Sequence, residues 1–347
     1  MTQTLPPNLH QILTTLPKAE LHVHLEGSVR PATFLTLARR HNLDVGILDE
    51  KSVIELFQFK GFRHFMQLYG ECTYAFGAPE DFERVTEELG LDAAAQGIRY
   101  LEVTFTPGTH YRFKQMPFAE VMDAVANGAA SARRQVGVEM RFILDHVRGF
   151  SLDDCYQTAE WCLEGRNQGV VALGLAGLEP GNPASLYAEA IKWVQEQGVA
   201  FVPHAGEAAG PESIWDALQF QPPRIGHGFR AIEDPTLVQH LHEHRTVLEI
   251  CPTSNVCTGT VPDLNSHPLR QLWDAGLRIT LNSDDPPMFN TSLLNEYYLA
   301  ATRFGFTVEE LAQISLTAVE GSLLSEPIRT KLRTEFLSKF SQMDVHV

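Results

Sequence analysis

The chain has 347 residues, with 27 Lys and Arg against 43 Asp and Glu, a formal net charge of −16. Its hydrophobic share of 44% and charged share of 20% are those of an ordinary globular chain, long enough to bury a large core without cross-links. The acidic balance argues against nucleic acid and anionic membrane surfaces as partners, because these are held by clustered Lys and Arg, and leaves a small neutral substrate open.

The five cysteines, Cys72, Cys155, Cys162, Cys251 and Cys257, form no C-x-x-C pair and read as reduced thiols. Met1 to Pro17 carries no Lys or Arg, and no run approaches the ~20 apolar residues of a membrane span, so the cytoplasm is the expected compartment. In chain order, short β-branched or apolar runs recur at Leu21–Leu25, Arg99–Phe105, Glu139–Asp145, Val170–Leu175, Ala200–His204, Arg224–His227, Thr246–Cys251 and Arg278–Asn282. Stretches of helical period separate most of them: Phe82–Ala95, Phe118–Val136, Leu152–Gln168, Ser185–Gln197 and Pro235–His244, several opened by Asp, Ser or Pro in capping positions. Glycine often stands just before a strand (Gly97, Gly137, Gly169, Gly198, Gly276), where a helix C-cap belongs.

Eight strand–helix units without a linker or charge block predict one α/β domain over residues 1–347, a closed (β/α)8 TIM barrel. A doubly wound open sheet is the alternative; no G-x-G-x-x-G follows the first strand, which weakens it. The connection after the first strand is long, about residues 33–76, and rich in Phe (Phe57, Phe59, Phe62, Phe65). It is expected either to lie as a helical lid over the barrel mouth or to pack on the barrel's outside.

In such a barrel the site is built at the C-terminal ends of the strands. His22 and His24 stand at i and i+2, so both imidazoles leave one face of the first strand, where each needs a partner for its polar nitrogens. Two metal-ligating nitrogens on one rigid strand explain the pair, although H-x-H alone does not exclude two structural histidines. Three further strand ends repeat the pattern: His204, followed by Glu207; His227; and Asp284 with Asp285. His22, His24, His204 and Asp284 offer nitrogen and oxygen without sulfur, which suits one Zn2+ with an open position for water. Such a metal lowers the pKa of bound water to about 7. Asp285 would leave its strand on the opposite side, towards substrate or water. Glu207 is placed to act as a general acid or base, and His227 to be a further ligand or a base that orients the attacking water. The run Val170–Leu175 has no lysine to bridge two metals, so one metal is expected.

Two patterns are discounted. His240, His242 and His244 fall on a helix that precedes a strand, which places them at the barrel's bottom. His24-Leu25-Glu26 matches the H-x-E of other zinc deaminases, but their P-C-x-x-C partner is missing.

Together the stretches Pro17–Gly27, Gly174–Gly177, His204–Glu207, Arg224–Gly228, Cys251–Asn255 and Asn282–Pro286 resemble the adenosine deaminase family of amidohydrolase barrels, in the family's order. The resemblance implies zinc on His22, His24, His204 and Asp284, and attack of a zinc-activated water on C6 of a 6-aminopurine. It implies that Glu207 gives a proton to N1, that His227 manages the attacking water, that Asp285 bonds N7, and that the backbone N–H of Gly177 meets N3. Ammonia leaves, so adenosine or 2′-deoxyadenosine becomes the inosine product.

Relatives that act on free adenine resemble the chain at His22, His24 and Glu207 but carry Asp where it has Gly226 and lack the Leu-Ala-Gly run ending at Gly177. These features imply a nucleoside as substrate. Glu26 stands where well-studied adenosine deaminases have an Asp that contacts the ribose 5′-hydroxyl, and Leu178 replaces a further Asp. These departures keep open a modified nucleoside such as 6-aminodeoxyfutalosine, whose carboxylate Arg30, Arg63 or Arg148 would meet. A catalytically inactive homologue that binds nucleosides or proteins is the alternative of another class.

Overall fold

The computed structural model describes residues 6–43 and 49–347. Eight strands run β1 Lys18–His24, β2 Ile98–Phe105, β3 Glu139–Val147, β4 Val170–Ala176, β5 Ala200–Ala205, β6 Arg224–His227, β7 Val247–Ile250 and β8 Arg278–Leu281. Each pairs in parallel with the next in chain order. A parallel bridge between Val23 and Asp284 joins the last strand to the first. There the His24 N–H donates to the Asp284 carbonyl at 2.9 Å, and the Asp284 N–H to the His22 carbonyl at 3.2 Å. Sequential order with first-to-last contact is a (β/α)8 barrel and removes the open doubly wound sheet.

Strand alternation sorts the side chains. Leu101, Val103, Leu144, Leu173, Leu175 and Leu248 point outward into the core shared with the surrounding helices. Ile143, Ala172 and Val202 form a separate small cluster inside the barrel. Around it the interior is polar, with Arg224 wholly buried between the carboxylates of Glu102 and Glu249. The helix Val308–Gly321 packs across β8 and β1, opened by a capping box between Thr307 and Glu310. Its Ser315 hydroxyl donates to the Pro17 carbonyl at 2.6 Å, tying it to the start of β1.

Within the described part of the connection after β1 lie three helices, Pro31–Arg40, Glu50–Leu56 and Phe62–Thr73. The rings of Phe59 and Phe65 rest on Phe289, which follows β8, at centroid distances of 5.7 and 5.2 Å. Its aromatic side therefore reaches the mouth of the barrel instead of packing only on its outside. Among the described residues no helix is long and apolar enough to cross a membrane, and the five cysteines are free.

Candidate active site

Every strand-end residue singled out above arrives at one place. His22 and His24 come from β1, His204 from β5, His227 from the end of β6, and Asp284 and Asp285 from the turn after β8. His24 Nε2 lies 3.2 Å from His204 Nε2 and 3.1 Å from Asp284 Oδ1, which is also 3.4 Å from His22 Nε2. Asp284 and His227 adopt left-handed backbone, φ 63 and φ 58, a region that Asp and His tolerate better than most residues. The turn that aims each into the mouth thus carries local strain, as functional sites often do.

The donor set fits a metal cation. His22 Nε2 is buried without a hydrogen-bond partner while its ring faces His24, His204 and His227. An orphaned buried imidazole nitrogen is costly unless a cation meets it. The far side of two of these rings is fixed as metal ligands require: His22 Nδ1 meets Glu249 Oε2 at 3.0 Å, and His204 Nδ1 meets the Leu175 carbonyl at 3.2 Å. The Ser254 hydroxyl donates to Asp284 Oδ2 at 2.6 Å. Cys251 also lies within ligand distance of His22 and Asp284, but burial and the carboxylates of Asp284 and Glu249 push its thiol far up, away from the thiolate a metal takes.

Beside this cluster opens a cavity lined by His24, His204, Glu207, His227, Asp284, Asp285 and Gly177, with a wall of Phe62, Phe65, Met66, Tyr69, Phe113 and Phe150. Among the described residues no Lys or Arg lines it. Glu207 Oε2 stands 3.6 Å from His227 Nε2. Burial, then the neighbouring Asp284 and Glu179 carboxylates, raises the Glu207 pKa well above the usual range, so its carboxyl favours the protonated form. Burial together with the nearby His22 drives His227 down to about 3, so it is neutral.

Some residues stand elsewhere than expected. Glu26 is buried behind the lining: its Oε1 accepts from the Thr106 N–H at 3.0 Å and meets His110 at 3.1 Å, while the Tyr69 hydroxyl donates to Oε2 at 3.4 Å. It holds two lining residues, Thr106 and Tyr69, and does not itself line the cavity. Gly226 makes room for a candidate metal ligand, since a Cβ there would sit 2.8 Å from His22 Cε1. Of the three arginines offered to a substrate carboxylate, Arg30 is paired with Asp92, Arg63 is exposed, and Arg148 bonds the Asn182 and His204 carbonyls; none lines the cavity. The histidines of Pro235–His244 are also outside it, His240 stacked on His244 at 4.0 Å.

Other residues had no assigned role. Glu179 accepts the backbone N–H groups of Gly206, Glu207 and Ala208 at 2.8 to 2.9 Å, fixing the loop that carries Glu207. Asp145 is buried inside the barrel with neither oxygen hydrogen-bonded, and burial lifts it to about 7. A carboxylate that follows the apolar run Phe142–Leu144 marks Asp145, and one inside the apolar run Val247–Ile250 marks Glu249.

A family profile described as adenosine deaminase matches residues 17–339. The chain belongs to the adenosine deaminase family. It is therefore a hydrolytic deaminase of 6-aminopurines. It is 37% identical to an aminodeoxyfutalosine deaminase of Streptomyces coelicolor, over 95% of this chain and 86% of the relative. It is 38% identical to an adenine deaminase of Rhizobium rhizogenes, over 91% and 98%. Among solved structures, an amidohydrolase from Burkholderia ambifaria with bound Zn superposes with a TM-score of 0.90 at 25% identity, covering 99% of this chain and 95% of that one.

Proposed function

We propose that the chain hydrolyses the 6-amino group of a neutral purine nucleoside, adenosine or 2′-deoxyadenosine, releasing ammonia and the inosine product. The observation that carries the substrate class is the cavity lining: an acid, an imidazole and a second carboxylate open onto an aromatic-walled space with no Lys or Arg among the described residues. A nucleotide phosphate would lose its hydration there with no cation to meet it.

His22, His24, His204 and Asp284 would hold one zinc ion, whose chemistry is to make water nucleophilic at neutral pH. Glu207 holds the proton that passes to N1, which draws electrons from C6 and opens it to attack. Asp285 has one buried oxygen without a partner, and we assign it to N7 of the purine. The backbone N–H of Gly177, on the cavity wall, is assigned to N3. His227 contacts the attacking oxygen from beside Glu207. The helix Phe62–Thr73 covers the ring and keeps bulk water out, the lid of a single barrel domain.

A second reading, deamination of 6-aminodeoxyfutalosine, is favoured by the extent of the aromatic wall, which suits a bulky group on the 5′ side. Against it stands the missing partner for that substrate's carboxylate. Absorbance-monitored kcat/KM for adenosine, 2′-deoxyadenosine, adenine, AMP and 6-aminodeoxyfutalosine, with metal analysis of the same preparation, separates these readings. Adenosine should lead AMP by at least about 100-fold, the worth of a buried unpaired charge. A lead for 6-aminodeoxyfutalosine would replace the first reading by the second, and a chain without zinc or any turnover would be a binding homologue.

A further inference from the structure

A chain of buried hydrogen bonds runs from the backbone to the far side of His227. Its anchor is the N–H of Leu269, at the start of the helix Leu269–Asp274, where a helical amide has no partner within its own helix. That N–H donates to His267 Nδ1 at 3.1 Å. A backbone amide can only donate, so His267 Nδ1 is bare and its proton sits on Nε2. His267 Nε2 lies 3.1 Å from Asn255 Oδ1, which fixes the amide of Asn255 with its oxygen towards His267. The NH2 of Asn255 then donates to His227 Nδ1 at 3.2 Å. All three side chains are buried, Asn255 completely, so water offers no alternative partner.

We infer that this relay fixes His227 as the tautomer with a bare Nδ1 and a protonated Nε2, so that His227 enters the reaction as a hydrogen-bond donor and not as a base. A nitrogen that already carries a proton cannot take another from water. Nε2 faces the cavity between Glu207 Oε2 at 3.6 Å and Asp284 Oδ2 at 3.9 Å. From there its N–H reaches the oxygen that adds to C6 and stabilises the charge that develops on it. Asn255 and His267 are positioning residues, acting through His227. Burial also holds His267 down at about 3, in keeping with a neutral ring at the start of the relay.

The inference rests on the deaminase reading for its catalytic meaning, but the tautomer is measurable without turnover. Long-range 1H–15N correlation on the zinc-loaded protein, with His227 assigned by its loss in His227→Gln, should show Nε2 protonated and Nδ1 bare throughout the active pH range. A proton on Nδ1 overturns the inference. Asn255→Asp puts an acceptor against Nδ1 and should draw the proton there. With zinc content unchanged, kcat should then fall by about 10^2–10^4, the scale of a catalytic histidine held in the wrong tautomer. If the proton moves to Nδ1 and kcat stays within about threefold, the donor role is wrong. Should Asn255→Asp not fold, the parent spectrum still decides. A chain that deaminates no 6-aminopurine overturns the function proposed above and leaves the tautomer measurement standing.

Discussion

Glu207 is a buried carboxyl beside the carboxylates of Asp284, Glu179 and Asp285, which favours its protonated form; the proposed function uses that proton. Glu207→Gln preserves shape and removes the transferable proton, so zinc content should stay at the parent level while kcat drops by about 10^2–10^4. Near-normal turnover would place proton donation elsewhere. Asp145 gives a test of packing: a Cβ on Gly174 would sit 1.8 Å from its Oδ1. Gly174→Ala should therefore cost about 1–3 kcal/mol in chemical denaturation, as overpacking does, and pairing it with Asp145→Ala should recover part of that loss. The metal candidates and Glu207 were legible because a polar residue at the end of an apolar run needs a reason. Glu249, Ser254 and Asn255 were not assigned, because each acts on a residue far away in sequence. The link of Glu249 to His22 exists only once the barrel closes and brings β7 to within one strand of β1.

At the level of elements, period and composition carried the strands well: β6 is Arg224–His227 as its run implied, and β2 and β8 differ from theirs by a single residue at one end. The insertion was legible as apolar but not as three helices, because part of its burial, at Phe59 and Phe65, comes from Phe289, beyond β8. The left-handed backbone at His227 and Asp284 left no trace in hydrophobic period either. If the helix Phe62–Thr73 closes over substrate, Phe65→Ala should raise KM about tenfold, one lost apolar contact, and leave zinc content unchanged. An unchanged KM would make the insertion scaffold only.

Across the whole molecule, part of the acidic excess noted at the outset is internal: Glu20, Glu102, Glu207, Glu249, Asp284, Asp285 and Glu296 are all buried. Glu296, which accepts from the Thr253 N–H at 3.2 Å, is raised to about 7 by burial. The sign follows from linkage: a carboxyl with a folded pKa above its unfolded value of 4.5 binds its proton more tightly when folded. Its favourable contribution is full below pH ~4.5 and is lost as pH rises through about 7. Glu296→Gln should therefore gain stability relative to the parent as pH goes from 5 to 8, by about 1–3 kcal/mol. Equal differences in Tm at the two pH values would contradict this.

The contact between Val23 and Asp284 that joins β8 to β1 lies at the same residues that gather the candidate metal ligands. The barrel is thus latched at its own candidate metal centre. A cation there would clamp two strands at opposite ends of the chain, and removing it should loosen the hoop along this seam before any other. In hydrogen–deuterium exchange, chelation should speed the amides of His24 and Asp284 while those of β3 and β4 keep their protection. Uniform acceleration around the barrel would mean that the latch and the candidate metal centre are only neighbours.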